Sequence, residues 1–512
     1  MASLPVLSLT VFLPLLGAVL IMLIPGHGQP DGGARSARKL ALGTSLLVFA
    51  VSLTVWLGFD PSLPGYQFEE TVEWISGLNS SYHLGVDGIS LFFMLLTTFT
   101  TPIAILIGWN RNDARTRELM AAFLVFESAS AGMFLALDFL VFFLFYEAVL
   151  LPAFVIIGVW GGQRRTWSAI TFFLYTMFGS VFMLIALLVF FFQFGVTDIP
   201  VLARVGHGLG RETQLWLWLA LLASFVVKIP LWPVHTWLPE AYVEAPTGAS
   251  VLLAGVLLKI GGYIFLRFSI PMLPVATEIL APLIYALAVV ALIYLSFVVL
   301  MLTLALEDLK KWVAYAVLAH MGFGYIGMFT MTTQGLQGAI FVLISYGLIA
   351  TALFCCVGVL EERASSREIS RFSGLVGSMP KFALVLMVFM LASLGVPGTS
   401  GFVGEFLVLV GAYQASSWLA LFSASIIVLG CVYFLWMYRL VVFGKAVRAD
   451  CRSFADLSGR EMAIMVPLMA VILWMGIYPD SFLHDTAASV ATLIHNYQST
   501  FADAGGAIVA AR

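Results

Sequence analysis

Two lysines lie inside stretches of the chain that are otherwise long and apolar. Lys228 lies at the end of segment 215–229, and Lys259 lies in the middle of segment 249–268. A lysine at the centre of a membrane-spanning helix costs roughly 2.5–3.5 kcal/mol on insertion scales. Burial favours the neutral form of an amine, so such a lysine can accept and release a proton near neutral pH. The pair therefore predicts proton transfer inside a membrane.

Three further ionisable residues are candidates for the same chemistry. Glu147 lies in a long apolar run, where a nearby lysine would make its protonation sensitive to conformation. His320 carries an imidazole, which can both donate and accept a proton. Glu405 follows a break rich in proline and glycine, a place suited to a terminal site that exchanges protons with one side. Weaker candidates are His235, Asp138 and Glu127.

Several of these residues also have a plainer interpretation. Glu147 could lie among lipid headgroups at a helix end, and the Lys228 ammonium could extend to an interface. A membrane histidine such as His320 is often only a hydrogen-bond partner between helices. Asp138 lies at a helix junction, where it would cap the following helix. Glu127 could face either the protein interior or lipid.

The composition places these residues in a membrane protein. The chain has 512 residues, of which 61% are hydrophobic and 10% are charged, whereas soluble domains average about 25% charged residues. Fourteen apolar runs have about the length that spans a bilayer. The sequence therefore predicts an all-α polytopic membrane protein with about fourteen transmembrane helices. The net charge of −3 says little about partners.

The spacing of the candidates predicts two inverted repeats. Residues 147 and 228 are 81 positions apart, and residues 320 and 405 are 85 apart. Each pair joins an intact helix to an interrupted one, helix 7 or helix 12, and five helices separate matching members. An odd number reverses the topology, and inverted repeats with broken helices are typical of ion paths at the membrane midplane. The predicted units are 1–116 (helices 1–3), 117–268 (helices 4–8), 276–443 (helices 9–13) and 444–512 (helix 14 and a tail).

The basic residues predict the orientation. Most lysines and arginines fall in alternate loops, among them Arg35, Arg38, Arg111, Arg164, Arg165, Lys310, Lys311, Arg363 and Arg367. The positive-inside rule places these loops in the cytoplasm and both termini on the outer side. The end of the bundle that carries these loops is called the basic end below.

The sequence offers little sign of a cofactor site in this chain. It shows no P-loop, no Rossmann glycine pattern and no zinc-ligand spacing, and its four cysteines are not arranged to hold an iron–sulfur cluster. We therefore expect no redox centre and no metal in this chain. If it moves protons against a gradient, partner subunits must supply the energy.

Several motifs resemble the antiporter-like subunits of respiratory complex I, the proton-translocating NADH:quinone oxidoreductase. They are YHLGVDGIS at 82–90, VKIP at 227–230, HTWLPEA at 235–241, LLK at 257–259, DLKK at 308–311, HMG at 320–322 and LGVPGTSGFVGE at 394–405. Glutamate at position 405 resembles the M-type branch of this family, since the L- and N-type paralogues carry lysine there. The motifs extend over most of the chain.

The resemblance implies a role for each candidate. It implies a Glu147–Lys228 ion pair, Lys259 as a central relay, His320 as a bridge and Glu405 as the terminal site. It also implies FMN, iron–sulfur clusters and quinone in partner subunits. The implied partners are the other membrane-arm subunits, including L-, N- and K-type chains, and no nucleic acid. The implied location is a bacterial plasma membrane.

Two positions depart from the family pattern. Tyr242 and Tyr346 stand where the family often has histidine. A tyrosine hydroxyl forms hydrogen bonds but carries protons poorly at neutral pH. Water or these hydroxyls must then bridge the neighbouring sites.

Two alternative functions use the same residues. A subunit of a multisubunit cation/proton antiporter would share the buried charges, and a membrane scaffold would only pair them with one another. The GFVGE segment at 401–405 favours the redox-driven complex over the antiporter.

Overall fold

The computed structural model describes residues 5–24, 33–111, 115–229, 231–444 and 450–503. Eleven helical stretches in this part of the chain are long and apolar enough to cross a membrane, and shorter apolar helices accompany them. The predicted all-α, multi-span membrane fold is confirmed, while the count of fourteen helices stays a prediction.

The helices of the first half are α1 (Val6–Met22), α2 (Ala34–Leu57), α3 (Ser90–Ile107), α4 (Thr116–Leu135), α5 (Phe139–Ala148), α6 (Leu150–Trp160), α7 (Arg165–Phe194), α8 (Ile199–Val205), α9 (Arg211–Lys228), α10 (Trp237–Glu244), α11 (Thr247–Leu252), α12 (Leu258–Ile264) and α13 (Ile270–Met272). The remaining helices are α14 (Pro274–Ala305), α15 (Leu309–Phe329), α16 (Thr333–Ala364), α17 (Pro380–Ser393), α18 (Ser400–Ala415), α19 (Ser417–Val442), α20 (Gly459–Ile477) and α21 (Asp480–Asp503).

The centre of the bundle is formed by α15, α16 and the stretch Thr247–Met272, whose residues are almost all buried. Around them, α2, α7, α14, α19 and α20 expose many large apolar side chains, such as Phe192 and Trp418. Apolar surface of this extent suits contact with lipid rather than with water. Buried ionisable candidates lie both on the central elements, as Lys259 and His320 do, and on neighbouring helices, as Lys228 and Glu405 do.

Both predicted interruptions are present. Helix 7 of the prediction divides between α9 and α10, around Pro233, while Pro230 lies outside the described residues. Helix 12 divides between α17 and α18, where Gly395 (φ +65°) and Gly398 (φ +92°) adopt the left-handed backbone that glycine favours. At Gly401 a side chain would lie 2.0 Å from the Ala392 carbonyl oxygen, so only glycine permits this close approach.

Two predicted helices are less regular than expected. The predicted helix 138–160 divides at Val149 into α5 and α6. The predicted helix 248–268 contains two π-helical segments, Leu253–Leu257 between α11 and α12 and Phe265–Ser269 between α12 and α13. A π-helical turn shifts the backbone hydrogen bonds and is frequent at functional sites.

The predicted link 60–87 contains a hairpin that the sequence did not reveal. Strands β1 (Gln67–Ile75) and β2 (Ser80–Val86) pair in antiparallel register, with Thr71 opposite His83. In β2, His83 contacts Asp198 through Nδ1 at 2.8 Å and Glu69 through Nε2 at 3.1 Å. The hydrogen bond to Asp198, together with the one to Glu69, raises the pKa of His83 against the opposing effect of burial.

The hairpin should therefore be held more tightly at low pH. A raised folded-state pKa stabilises the folded protein fully below the unfolded value near 6.5, and that contribution is lost as the pH rises through the folded value. Amide hydrogen exchange in β1 and β2, corrected for intrinsic rates, should accelerate over this range. In a His83→Gln variant the corrected rates should not change with pH; an unchanged pH response would refute the role of His83.

The close approach at the second interruption predicts a sensitive site. Gly401→Ala should force the α17–α18 junction apart and destabilise the protein by about 1–3 kcal/mol, as overpacking commonly does. The measurement is the thermal midpoint of the purified assembly. Gly43→Ala is the control, because a side chain at Gly43 would meet nothing within 4 Å.

Candidate proton-transfer site

Lys228 is the last residue of α9 and is buried. Its ammonium lies 4.4 Å from the centroid of the Tyr146 ring, an attractive cation–π arrangement. The Tyr146 hydroxyl in turn lies 3.1 Å from the Ser224 hydroxyl. Half-buried Glu147 follows Tyr146, but within the described chain it forms no ion pair with Lys228 within 4.0 Å. The Glu147 charge still acts on Lys228 from a distance beyond 4.0 Å.

Lys259 lies in α12 and is fully buried. Its ammonium donates a hydrogen bond to the Ala254 carbonyl oxygen at 3.1 Å and lies 3.6 Å from the Met321 sulfur. Ala254 belongs to the first π-helical segment, so the irregular backbone turns a carbonyl toward the amine. Among the described residues, no carboxylate lies within 4.0 Å of this ammonium.

Close packing connects the two lysines. Gly261 is two residues from Lys259, and a side chain there would lie 2.0 Å from Cγ1 of Ile229, the neighbour of Lys228. The lack of a side chain at Gly261 lets α12 approach the end of α9. On the other side of Lys259, Met321 is the neighbour of His320, so the same amine also lies beside α15.

His320, Tyr346, Glu405 and Tyr433 form a hydrogen-bonded cluster. His320 lies 2.8 Å from Glu405 Oε1 through Nδ1 and 2.9 Å from the Tyr433 hydroxyl through Nε2. The Tyr346 hydroxyl contacts Glu405 Oε1, His320 Nδ1 at 2.7 Å and the Ser393 carbonyl oxygen at 2.9 Å. One hydroxyl proton cannot satisfy three acceptors at once, so the cluster has several proton arrangements of similar geometry.

Asp138, one of the three weaker candidates, caps α5. It accepts hydrogen bonds from the amides of Leu140 and Val141 and from the hydroxyls of Ser80 and Thr197. This matches the capping alternative for Asp138.

His235 is buried beside the rings of Tyr294 and Tyr315, at 5.6 and 6.5 Å between centroids. Glu127 in α4 is fully buried, and neither of its carboxyl oxygens has a hydrogen-bond partner among the described residues. It is therefore in a setting that favours the protonated carboxyl group.

Two tyrosines of this arrangement were missed from the sequence. Tyr146 and Tyr433 looked like ordinary aromatic residues of apolar helices. No local pattern distinguishes Tyr433, which is 113 positions from its partner His320. Only the packing of α19 against α14 and α15 brings it to the imidazole.

In the described residues, no group of three or more His, Cys, Asp or Glu side chains is arranged to hold a metal ion. The four cysteines are free. The ionisable groups of the described site are amines, carboxyl groups, an imidazole and phenols in a low-dielectric interior.

The fold and the buried ionisable groups together define a multi-span membrane protein of the ion-translocating class. The sequence profile described as "NADH:quinone oxidoreductase/Mrp antiporter, TM" matches residues 136–430. NADH-quinone oxidoreductase subunit M of Rhodobacter capsulatus is 47% identical over 504 residues, covering 96% of this chain and 97% of the relative.

Solved structures agree with this match. A chain of respiratory complex I from Thermus thermophilus with bound NADH is 31% identical, with a TM-score of 0.84 over 95% of this chain and 99% of that chain. A chain of the Mrp complex from a Dietzia species is 17% identical, with a TM-score of 0.83 over 98% and 99%, and shares the fold. The chain belongs to the NADH:quinone oxidoreductase/Mrp antiporter family, in the branch of the NADH-quinone oxidoreductase M subunits.

The cluster geometry predicts that the Tyr346 hydroxyl is needed for proton movement. Tyr346→Phe should slow proton translocation at least about tenfold, since it removes the group that touches both His320 and Glu405. Tyr346→His should retain activity, because imidazole can donate and accept. Proton uptake by sealed vesicles is the measurement. Tyr438→Phe in α19 is the control, since its hydroxyl contacts only a backbone carbonyl, that of Ala383, in the described contacts.

Proposed function

We propose that this chain moves protons through the membrane arm of NADH:quinone oxidoreductase along Glu147, Lys228, Lys259, His320 and Glu405. The observation that carries the proposal is the setting of Lys259, a fully buried amine that meets a carbonyl and a thioether rather than a carboxylate. A scaffold would pair such a charge, because an unpaired buried charge costs several kcal/mol. A proton carrier needs an amine that is stable in both protonation states.

Coulombic coupling links the sites in this proposal. Two unit charges about 10 Å apart interact by about 1.7 kcal/mol at an effective dielectric of 20. That energy changes proton occupancy by more than tenfold. A change of charge near Glu147 shifts the occupancy of Lys228, which shifts that of Lys259. The proton then passes through His320 to Glu405 and leaves on the far side.

The weaker candidates have different roles in the proposal. Glu127 on α4 is protonated in the dry interior of the protein, and it accepts protons from the relay and returns them. Asp138 keeps a structural role, since its oxygens are occupied by the cap and by hydroxyl groups. His235 lies beside the first interruption and shapes it without joining the main row.

Two matching backbone bridges support inverted repeats over 117–268 and 276–443. Asp138 pairs with Asp198, and Asp308 pairs with Glu368, each in an antiparallel bridge. Both members of the second bridge are 170 positions beyond those of the first. Asp138 of the first bridge caps α5, and Asp308 of the second bridge caps α15. Asp308 lies at the basic end and Asp138 beside the hairpin, which fits units of opposite orientation, flanked by 1–116 and 444–512.

The energy comes from partner subunits in this proposal. FMN, iron–sulfur clusters and quinone belong to them, and the neighbouring membrane-arm subunits of L-, N- and K-type contact this chain. The subunit M relative from Rhodobacter capsulatus and the similar chain of Thermus thermophilus complex I support this assignment. We place the chain in a bacterial plasma membrane, with both termini outside and the basic end in the cytoplasm.

An antiporter subunit is the second candidate function. The fold shared with the Mrp chain fits it, but at much lower identity than the subunit M relatives. Purification of the tagged chain distinguishes the two. Co-purification of flavin and iron–sulfur subunits supports the redox-driven complex, and their absence from an intact membrane assembly supports the antiporter.

Lys259→Met should stop proton translocation by this chain while the complex still assembles, since the variant removes the amine but keeps most of its volume. The expected loss is at least about tenfold in NADH-driven proton uptake by sealed vesicles. Lys381→Met is the matched control at an exposed lysine. An assembled Lys259→Met complex that pumps normally would refute the relay.

A further inference from the structure

Lys310 is a buried lysine at the basic end that the relay above does not use. It is the second residue of α15 and is 1% exposed. Its neighbour Lys311 is partly exposed and lies 3.5 Å from Glu307, one turn away. Both lysines were predicted from the sequence to lie in a loop at the aqueous surface. This prediction is wrong for Lys310, which is buried. A buried amine at the end of a bundle needs a separate explanation.

The Lys310 ammonium donates a hydrogen bond to the Ala245 carbonyl oxygen at 2.5 Å. Ala245 immediately precedes Pro246, at the junction between α10 and α11. Among the described residues no carboxylate lies within 4.0 Å of this ammonium. The charged groups that act on it from farther away are Glu361, Arg367, Asp308 and Arg111. Its partner is thus neutral, as for Lys259.

A cavity of about 250 Å³, lined by both polar and apolar residues, reaches the same junction from the basic end. Its wall includes Asn110, Arg111, Glu361, Pro246 and Thr247. Since a water molecule occupies about 30 Å³ in the liquid, the cavity has room for several waters. Glu361 accepts a hydrogen bond from the Thr247 hydroxyl at 3.3 Å. The cavity and Lys310 therefore both adjoin the junction at Ala245 and Pro246.

Polar groups continue from the junction toward Lys259. The Ser250 hydroxyl donates to the Tyr242 carbonyl at 2.9 Å, and the Tyr242 hydroxyl donates to the Leu253 carbonyl at 2.9 Å. The next carbonyl, that of Ala254, accepts from Lys259. Tyr242 and Lys259 therefore donate hydrogen bonds to adjacent carbonyls of one π-helical segment. These contacts lie between the Ala245–Pro246 junction and the Lys259 amine along the chain.

We propose that Lys310 is the residue through which protons from the basic end enter the relay. The Glu361 carboxyl group gives its proton, through water of the cavity, to the neutral Lys310 amine and takes another proton from the aqueous basic end. The resulting ammonium gives a proton inward, through water beside Tyr242, to the neutral Lys259 amine, and Lys310 becomes neutral again. This inference rests on the proposed function, because it assumes that Lys259 carries protons.

The test compares Lys310→Arg and Lys310→Met with Lys311→Arg and Lys311→Met in the assembled complex. Arginine keeps the charge and the donor to Ala245 but does not release a proton. We therefore expect both Lys310 variants to lower NADH-driven proton uptake at least about tenfold. Both Lys311 variants should pump at the wild-type rate. A purely structural Lys310 predicts normal pumping by Lys310→Arg, and that result would overturn the inference.

If neither Lys310 variant assembles, Glu361→Gln decides, with exposed Glu368→Gln as its control. Slower uptake in Glu361→Gln alone supports entry through the cavity, and equal wild-type rates overturn it. Lys259→Met separates this inference from the proposed function. Normal pumping by Lys259→Met refutes the function itself, whereas loss in Lys259→Met with normal pumping in Lys310→Arg refutes only the entry site.

Discussion

The structure depends on how three ammonium groups are accommodated in a low-dielectric interior. Lys228 faces an aromatic ring, and Lys259 and Lys310 each donate to a backbone carbonyl. A carboxylate in direct contact would fix each amine in its charged form. Rings and carbonyls stabilise the charge only in part, so distant charges can still decide whether each amine holds its proton. Neutral partners are therefore what makes these lysines suited to proton transfer.

Irregular backbone supplies the carbonyl partners of Lys259 and Lys310. A regular α-helix uses nearly all its carbonyls internally, so a buried amine finds few acceptors there. The first π-helical segment directs the Ala254 carbonyl to Lys259, and the junction before Pro246 directs the Ala245 carbonyl to Lys310. In the second half, the break between α17 and α18 brings Ser393 to the cluster around Glu405. The helix interruptions and the polar contacts of these side chains therefore have the same origin.

Much of this architecture could be predicted from the sequence, because hydrophobic length and buried charge are local signals. They singled out Lys228, Lys259 and Glu405, which are buried in the structure, and they predicted both interrupted helices. The hairpin was missed because its strands lie in a link between apolar runs, where hydrophobic length gives no signal. The burial of Lys310 and the position of Tyr433 were missed because both depend on packing between helices far apart in sequence. The cation–π contact at Lys228 also depends on side-chain geometry that no spacing reveals.

Proton transfer along this chain requires the buried groups to share one polar axis inside the protein. The decisive measurement is a map of the assembled complex that resolves ordered waters. We expect waters that bridge Lys228, Lys259 and His320, with a branch from Lys259 past Tyr242 toward the cavity at the basic end. A dry gap filled by apolar side chains between Lys259 and His320 would contradict it.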